Sequence, residues 1–399
     1  MISSVKNWEY KGVAITGYCS NAFNNVSFFK TIDYLKKCGV NSIELVITWY
    51  QENNYSTEIY KHQQKSVDDL LLIKAIQYIH KQGLKVNLNV HVDPFPDKWG
   101  WRAKIVPKDV SRWFESHQLF IEHLLKISIK YNVELFTVGT EFISLTRPEH
   151  YKYWSDLVSY IRSYDNGSFK GKLTYLADKT EIFGMNEFFL GNNQPIKIEV
   201  LGSEFWKLFD YISMSAFYGV GNIHHQTPDI NSIIEDWKNK WIPRLENWKT
   251  NLHTDKKVLI GEIGYRSIDY SHRVPSFHCG IANSKTKDKF NQQLQINCYE
   301  AMFQVLNNVD WIEGIFLWEE EIKKHPTFYN AKNTDFSIIN KKTAQIVLKY
   351  YRNSDDIEKV DDIQKDRKDK LLNFYYYVSY WLELNLKKLK KLLIHLLKN

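Results

Sequence analysis

Eight runs rich in β-branched, apolar and aromatic residues recur along the chain: GVAITGY (12–18), SIELVITWY (42–50), KVNLNVHVD (85–93), LFTVGTEF (135–142), KLTYLAD (172–178), YISMSAFY (211–218), KVLIGEIGY (257–265) and GIFLWEE (314–320). Their starts lie roughly 30 to 57 residues apart, the length that a strand, a crossover helix and two loops occupy. Parallel strands need such crossovers, and eight of them can close a sheet on itself. The pattern predicts an α/β fold, a (β/α)8 TIM barrel over residues 1–351. An open doubly wound sheet is the main rival, but the chain holds no GxGxxG or GxxxxGK phosphate loop.

The intervening segments carry helical signals. Ser66-Val67-Asp68-Asp69 reads as a capping box ahead of an apolar stripe of Leu70, Ile73, Ile76 and Ile79, and Gly83 is placed to end that helix. Phe28, Ile32 and Leu35 form a second stripe that stops at Gly39. Thr343 to Tyr351 is the expected last helix of the barrel.

After Tyr351 the composition changes. Residues 352–370 read as a charged linker, and in residues 371–399 Leu382, Leu386, Leu389, Leu393 and Leu396 recur at four-three spacing with Lys387, Lys388, Lys390 and Lys391 between them. This is a basic amphipathic helical tail, which can lie on an anionic membrane surface, bind a partner or fold back on the barrel. Its charge-free run from Leu371 to Leu382 is far short of the roughly 20 residues that span a bilayer. The tail also accounts for the formal charge of +7: nine Lys/Arg against three Asp/Glu lie from Gln364 onward, which leaves the rest of the chain at +1. The expected barrel therefore carries no electrostatic footprint for nucleic acid. Cys19, Cys38, Cys279 and Cys298 are scattered, without a CxxC or a metal-site spacing, as free thiols of a reducing compartment would be. The first twenty residues lack the basic start and apolar core of a secretory signal, so the expected location is cytoplasmic, with the tail able to hold the protein at the inner membrane face.

In a barrel of this kind the working residues sit at the C-terminal ends of the strands. The polar and aromatic residues there are His91 and Asp93 on the third run, Glu141 on the fourth, Asp178 on the fifth, Tyr218 on the sixth, Glu262 on the seventh, and Trp318, Glu319 and Glu320 on the eighth. The fourth and seventh strands lie nearly opposite, so Glu141 and Glu262 can face one cleft. Hydrolysis of a glycosidic bond needs two such carboxyl groups, one to donate a proton and one to attack or activate water. Small residues, Gly139-Thr140 and Gly261, precede them and would let a substrate approach the backbone. The 13 Trp and 25 Tyr offer faces on which sugars can stack, although a large core uses the same rings.

With these motifs in place, the chain resembles clan A of the retaining glycoside hydrolases, and most of all glycoside hydrolase family 113, the barrel β-mannanases. The similarity covers about residues 10 to 350 and rests on GVAITGY, HVDP, GWRAKI, VGTEF, LIGEIGY, GIFLWEE and the closing TDFSIINKKTAQIVLKYY. It implies that Glu141 is the general acid/base and Glu262 the nucleophile, acting with retention and without metal or organic cofactor on a β-linked, β-1,4-mannosidic carbohydrate. It implies that Tyr218 hydrogen-bonds the nucleophile, that His91, Asp93, Trp101 and Arg102 line the glycone side, and that Trp318 floors it. Thr140 stands where much of the clan has Asn holding the sugar 2-hydroxyl, and the shorter side chain would suit the axial 2-hydroxyl of mannose.

Two other readings fit the residues less well. A metal-dependent barrel hydrolase would use His91 and Asp93 with Asp178 and other strand-end carboxylates, but no second HxH or HxxxH cluster completes a ligand set. A non-catalytic glycan-binding barrel tethered by its tail would need neither glutamate.

Overall fold

The computed structural model describes residues 6–24, 26–96, 100–276, 288–322 and 332–352. Its strands, in chain order, are β1 (Tyr10–Thr16), β2 (Ser42–Gln51), β3 (Lys85–Pro94), β4 (Leu135–Thr140), β5 (Lys172–Ala177), β6 (Met185–Phe189), β7 (Pro195–Ile198), β8 (Ile212–Ser215), β9 (Val258–Ile263) and β10 (Ile312–Glu321). Eight of them close a barrel in the order β1-β10-β9-β8-β5-β4-β3-β2, with every neighbouring pair parallel. Each of the eight apolar runs supplies one barrel strand, and the fold is a (β/α)8 TIM barrel. The periodicity does not anticipate β6 and β7, an antiparallel hairpin inserted between β5 and β8. The last barrel helix is Thr343–Tyr351, as expected. The predicted tail, and the linker beyond Arg352, lie outside the described residues, among which no helix is long and apolar enough to cross a membrane.

Strand side chains alternate between faces, and the sequence uses both. Val13, Ile15, Ile43, Leu45, Ile47, Val86, Leu88, Val90, Phe136 and Val138 belong to the large cluster shared with the helices. The residues between them point into the barrel. At its N-terminal end Tyr10, Leu135, Leu259 and Phe316 form an apolar plug. Gly12 is required there, since a Cβ would lie 2.2 Å from the Phe316 ring.

Beyond the plug the interior is polar. The buried Glu44 carboxyl accepts from Asn87 Nδ2 (2.6 Å) and Asn89 Nδ2 (3.0 Å), while Thr137 Oγ1 and Thr140 Oγ1 donate to the amide oxygens of Asn87 (3.1 Å) and Asn89 (2.6 Å). A buried polar group is tolerable when its hydrogen-bonding capacity is met, and this chain of partners meets it across β2, β3 and β4.

One helix corrects the sequence reading. Helix 69–81 is capped by Asp68, whose side chain accepts from the backbone N–H of Leu70 and Leu71, and not by Ser66. Ser66 Oγ instead donates to Thr48 O (2.8 Å), tying the approach to the helix onto β2. The buried stripe is Leu72, Ala75, Ile76 and Ile79, and Leu70, at the first turn, is 69% exposed. Phe28, Ile32 and Leu35 are buried as predicted, and Gly39 ends their segment with a φ of +87°, a conformation that suits glycine.

Burial pushes Glu44 up from 4.5 to about 8, against the two amide donors that favour its ionised form. The folded state therefore keeps a proton that the unfolded chain releases, and its contribution to stability is complete below about pH 4.5 and lost as pH rises to about 8. The drop in urea-unfolding free energy between pH 5 and pH 7.5 is expected to be smaller in Glu44→Gln than in the parent by about 2–3 kcal/mol. Equal drops in both proteins would contradict the assignment of that proton.

Candidate active site

Glu141 and Glu262 both leave the barrel through a local slip in strand register. Between Thr137 and Thr140 the pairing of β4 with β5 shifts by one residue, and between Met214 and Ser215 that of β8 with β9 shifts at Gly261. Such bulges re-aim the side chain that follows. The glycines serve this packing rather than substrate approach. A Cβ on Gly139 would lie 2.8 Å from the Phe142 ring, and one on Gly261 would lie 2.5 Å from both Leu176 and Ser213 Oγ.

Glu141 adopts a φ of +53°, which a side chain rarely takes and which is sustained only when its surroundings over-determine it. Here they do. Glu141 N donates to Leu176 O (2.8 Å), and Phe142 N donates to Tyr175 Oη (2.7 Å). The buried Glu181 locks that hydroxyl in turn: Oε1 accepts from Tyr175 Oη (2.9 Å) and Thr146 Oγ1 (2.6 Å), and Oε2 accepts from Asp178 N (2.8 Å). Sequence inspection did not single out Glu181, although its place three residues after Asp178 is a capping-box signal, and the structure forms that box.

The segment after β3 closes over this pair. Trp101 Nε1 donates to Glu141 Oε2 (2.9 Å). Arg102 donates to Asp93 Oδ1 from Nε (3.0 Å), donates to His91 Nδ1 from Nη2 (2.7 Å), and brings Nη1 within 3.6 Å of Glu141 Oε2. A guanidinium can only donate, so His91 Nδ1 accepts and the neutral ring carries its proton on Nε2. That Nε2 stands 3.7 Å from Glu262 Oε1, beyond a hydrogen bond, and neither atom has a hydrogen-bond partner among the described residues. Burial first and the Arg102 charge second hold His91 well below its ordinary value, which keeps it neutral.

The carboxyl groups are shifted the other way. Burial raises Glu141, and the Asp178 charge adds to it, while Arg102 and the donors Trp101 and Ser215 oppose. Burial also raises Glu262 well above its usual range, followed by the charges of Glu141 and Glu44, with Arg102 again opposing. Two buried carboxyls that resist ionising together are the electrostatic condition for one to hold a proton beside its ionised partner.

The remaining predicted residues divide. Trp318 lies at the exit of β10, nearly parallel to the His91 ring (6.2 Å, 18°), among Ala14, Val46, Phe217 and Phe336, and its peptide bond to Glu319 is cis. Asp178 faces Glu141 electrostatically, but its side chain accepts from Thr180 N (2.8 Å) as the cap of helix 179–183. Thr140 is buried and its hydroxyl donates to Asn89, one layer below the cleft, which withdraws it from a sugar 2-hydroxyl. Tyr218 is also withdrawn. Its ring stacks on Trp241 (4.3 Å, 12°) and its hydroxyl donates to Met214 Sδ (3.4 Å), not to Glu262. Its position ends a strand-like run, but β8 stops at Ser215 and Tyr218 turns into the core.

Glu319, one of the strand-end candidates, joins the site, and so does Tyr18, which the sequence pattern does not single out. Glu319 accepts from Thr16 Oγ1 (2.6 Å) and is pushed up to about 8 by burial. Tyr18 is 40% exposed, and its hydroxyl is raised by the cleft walls and then by the charges of Glu319, Asp93 and Glu262. Tyr18 ends an apolar run, where strand periodicity masks a polar role. The metal reading finds no support in this geometry. Arg102 engages both His91 and Asp93, Asp178 caps a helix, and among the described residues no group of three His, Cys, Asp or Glu could hold a metal ion.

A closed parallel barrel whose strand ends gather buried carboxyls around one arginine is the architecture of a barrel-type glycoside hydrolase. The chain belongs to glycoside hydrolase family 113, whose family model matches residues 17–341. Among solved structures it is similar to a complex of a family 113 β-1,4-mannanase, at 24% identity and a TM-score of 0.67 over 86% of this chain and 99% of that one. It is also similar to the family 113 β-mannanase AaManA from Alicyclobacillus acidocaldarius, at 19% identity and a TM-score of 0.68 over 88% of this chain and 99% of that one. A search of curated proteins returned no significant match.

Removing Glu181 leaves Tyr175 Oη and Asp178 N without an acceptor, each costing about 1–3 kcal/mol, and leaves Thr146 Oγ1 only the longer bond to Ile143 O (3.3 Å). Glu181→Ala is therefore expected to lower the urea-unfolding free energy by about 3 kcal/mol or more. A loss under about 1 kcal/mol would show that the loop carrying Glu141 does not depend on it.

Proposed function

We propose that this enzyme hydrolyses β-1,4-mannosidic bonds by double displacement, with Glu141 as acid/base and Glu262 as nucleophile. The observation that carries the reading is the pair itself: two buried glutamates, each delivered by a strand-end bulge and each raised in proton affinity by burial, with the Glu141 charge adding to the rise at Glu262, around a shared arginine. The family supports glycoside hydrolysis, and the two β-mannanase folds support the choice of mannoside.

In the first step the Glu262 carboxylate attacks C1, the C1–O bond breaks, and the leaving oxygen takes the proton from Glu141. Glu262 is then an ester and carries no charge. The negative charge beside Glu141 disappears at that moment, so the Glu141 pKa falls and the group can stay ionised as a base. The N–H of Trp101 and the charge of Arg102 favour that ionised form. In the second step Glu141 takes a proton from water, the water oxygen attacks C1, and the bond to Glu262 breaks with retained configuration. The buried, neutral His91 presents Nε2–H toward Glu262 without adding a charge that would pair it too tightly.

The roles separate by leaving group. Glu262→Ala is expected to lose at least about a thousandfold in kcat on β-mannan and on a dinitrophenyl β-mannoside alike. Glu141→Ala is expected to lose as much on mannan, but far less in the first, burst-phase step with the dinitrophenyl leaving group, which departs without a proton. Activity of Glu262→Ala near the parent level on either substrate would overturn the assignment.

A further inference from the structure

The stretch TDFSIINKKTA (334–344) performs no step of bond cleavage, yet the side chain of its Lys341 is wholly removed from water. A lysine is almost never fully buried unless it is paired, so its partners show what holds it there. Lys341 Nζ donates to Ser267 Oγ (3.0 Å) and Asp335 O (3.2 Å) and stands 3.5 Å from Asp335 Oδ1. Ser267 Oγ donates in turn to Asn333 O (2.7 Å), and Arg266 Nε donates to Thr334 O (3.0 Å). On the other side Glu320, near the end of β10, accepts from Ser337 Oγ (2.5 Å) and Ile338 N (2.8 Å). Segment 333–341 is therefore laced to the exits of two neighbouring strands, β9 with Glu262 and β10 with Trp318 and Glu319.

What this lacing presents is Phe336. Its ring packs with Trp318, Phe217, Ala14 and Val46, and its carbonyl accepts from Gln295 Nε2 (3.2 Å), whose Oε1 accepts from Thr343 Oγ1 (2.8 Å). The fit is close: a Cβ on Gly264 would lie 2.1 Å from Trp318 O and 3.1 Å from the Phe336 ring. The charge of Lys341 is the part that can change. Burial pulls it from 10.5 down to about 8 against the charges of Asp335 and Glu320, and Arg266, itself paired with Asp288 (2.6 Å), adds to the fall. The ammonium is present at neutral pH and lost as pH rises through about 8, and with it goes the ionic part of the hold on Asp335.

We infer that Lys341 is a positioning residue for the sugar site: its buried ammonium, set between Ser267 and Asp335, clamps segment 333–341 across the exits of β9 and β10 and so seats Phe336 against Trp318. The inference rests on the two-glutamate reading above, with Trp318 as the floor of the cleft. A floor that grips the sugar alike before and during cleavage acts on KM and leaves kcat in place.

Steady-state kinetics of the full-length enzyme on a β-1,4-manno-oligosaccharide, at pH 7 and at pH 9.5, separate a charged clamp from passive packing. Lys341→Met, which keeps an unbranched chain and removes the charge, is expected to raise KM about tenfold at pH 7 with kcat within about twofold of the parent. At pH 9.5 the ratio of variant to parent KM is expected to close to about twofold, because the parent has by then lost the same charge. Taking the ratio cancels other groups that titrate in the cleft, Glu319 among them. Ser267→Ala, a milder change that removes the hydroxyl between Lys341 and Asn333 O, is expected to raise KM about threefold at pH 7, and it carries the same comparison if Lys341→Met does not fold. A ratio near one at pH 7, or a raised ratio that is the same at both pH values, overturns the clamp. A parent enzyme that turns over no β-mannoside overturns the two-glutamate reading instead, and the role of Lys341 falls with it.

Discussion

Arg102 is the charge on which the cleft depends. Asp93, Glu141 and Glu262 each act on this one guanidinium, and each is removed from water by the barrel mouth. Desolvated carboxylates are costly without a compensating cation, and an arginine that cannot be neutralised supplies one at every working pH. Its fork does more than balance charge. By donating to His91 Nδ1 it fixes which imidazole nitrogen carries the proton, and by donating to Asp93 it is itself held in place. The resulting order runs from Asp93 through Arg102 to Glu141 on one side and through His91 to Glu262 on the other.

The precision of that arrangement is built below the cleft. Glu44, Asn87, Asn89, Thr137 and Thr140 cross-link three strands inside the barrel, and Glu181 fastens the backbone N–H of Asp178 and the hydroxyl that holds Phe142. They make the left-handed backbone at Glu141 tolerable, where an isolated residue would relax out of it at a gain of about 1–3 kcal/mol.

The strands were legible because apolar alternation and crossover spacing follow directly from closing a parallel sheet, and the two glutamates were legible because they end such runs. What escaped the sequence was decided by local register. A one-residue slip at Val138–Gly139 and another at Gly261 determine where Glu141 and Glu262 point, and nothing in the residue string marks a bulge beyond a glycine. Tyr218 looked like a strand-end ligand, but β8 ends three residues earlier and the ring turns inward. Thr140 looked like a sugar contact, but its face of β4 belongs to the interior polar layer. Leu70 fits a helical stripe with Ile76 and Ile79, but the face that packs inward runs through Leu72 and Ala75 instead. The hairpin from Met185 to Ile198 lies between two barrel strands and carries only short, mostly exposed segments, too weak a pattern to distinguish from a loop.

The account turns on whether Glu262 bonds directly to the anomeric carbon, and the stereochemistry of the first product reports this without any mutation. Proton NMR of a β-1,4-manno-oligosaccharide digest, read in the first minutes before mutarotation, shows which anomer of the new reducing end appears. A double displacement through Glu141 and Glu262 gives the β-anomer first, with the α-anomer growing in later. Initial appearance of the α-anomer would mean that water attacks in a single step, and that Glu262 is not the nucleophile.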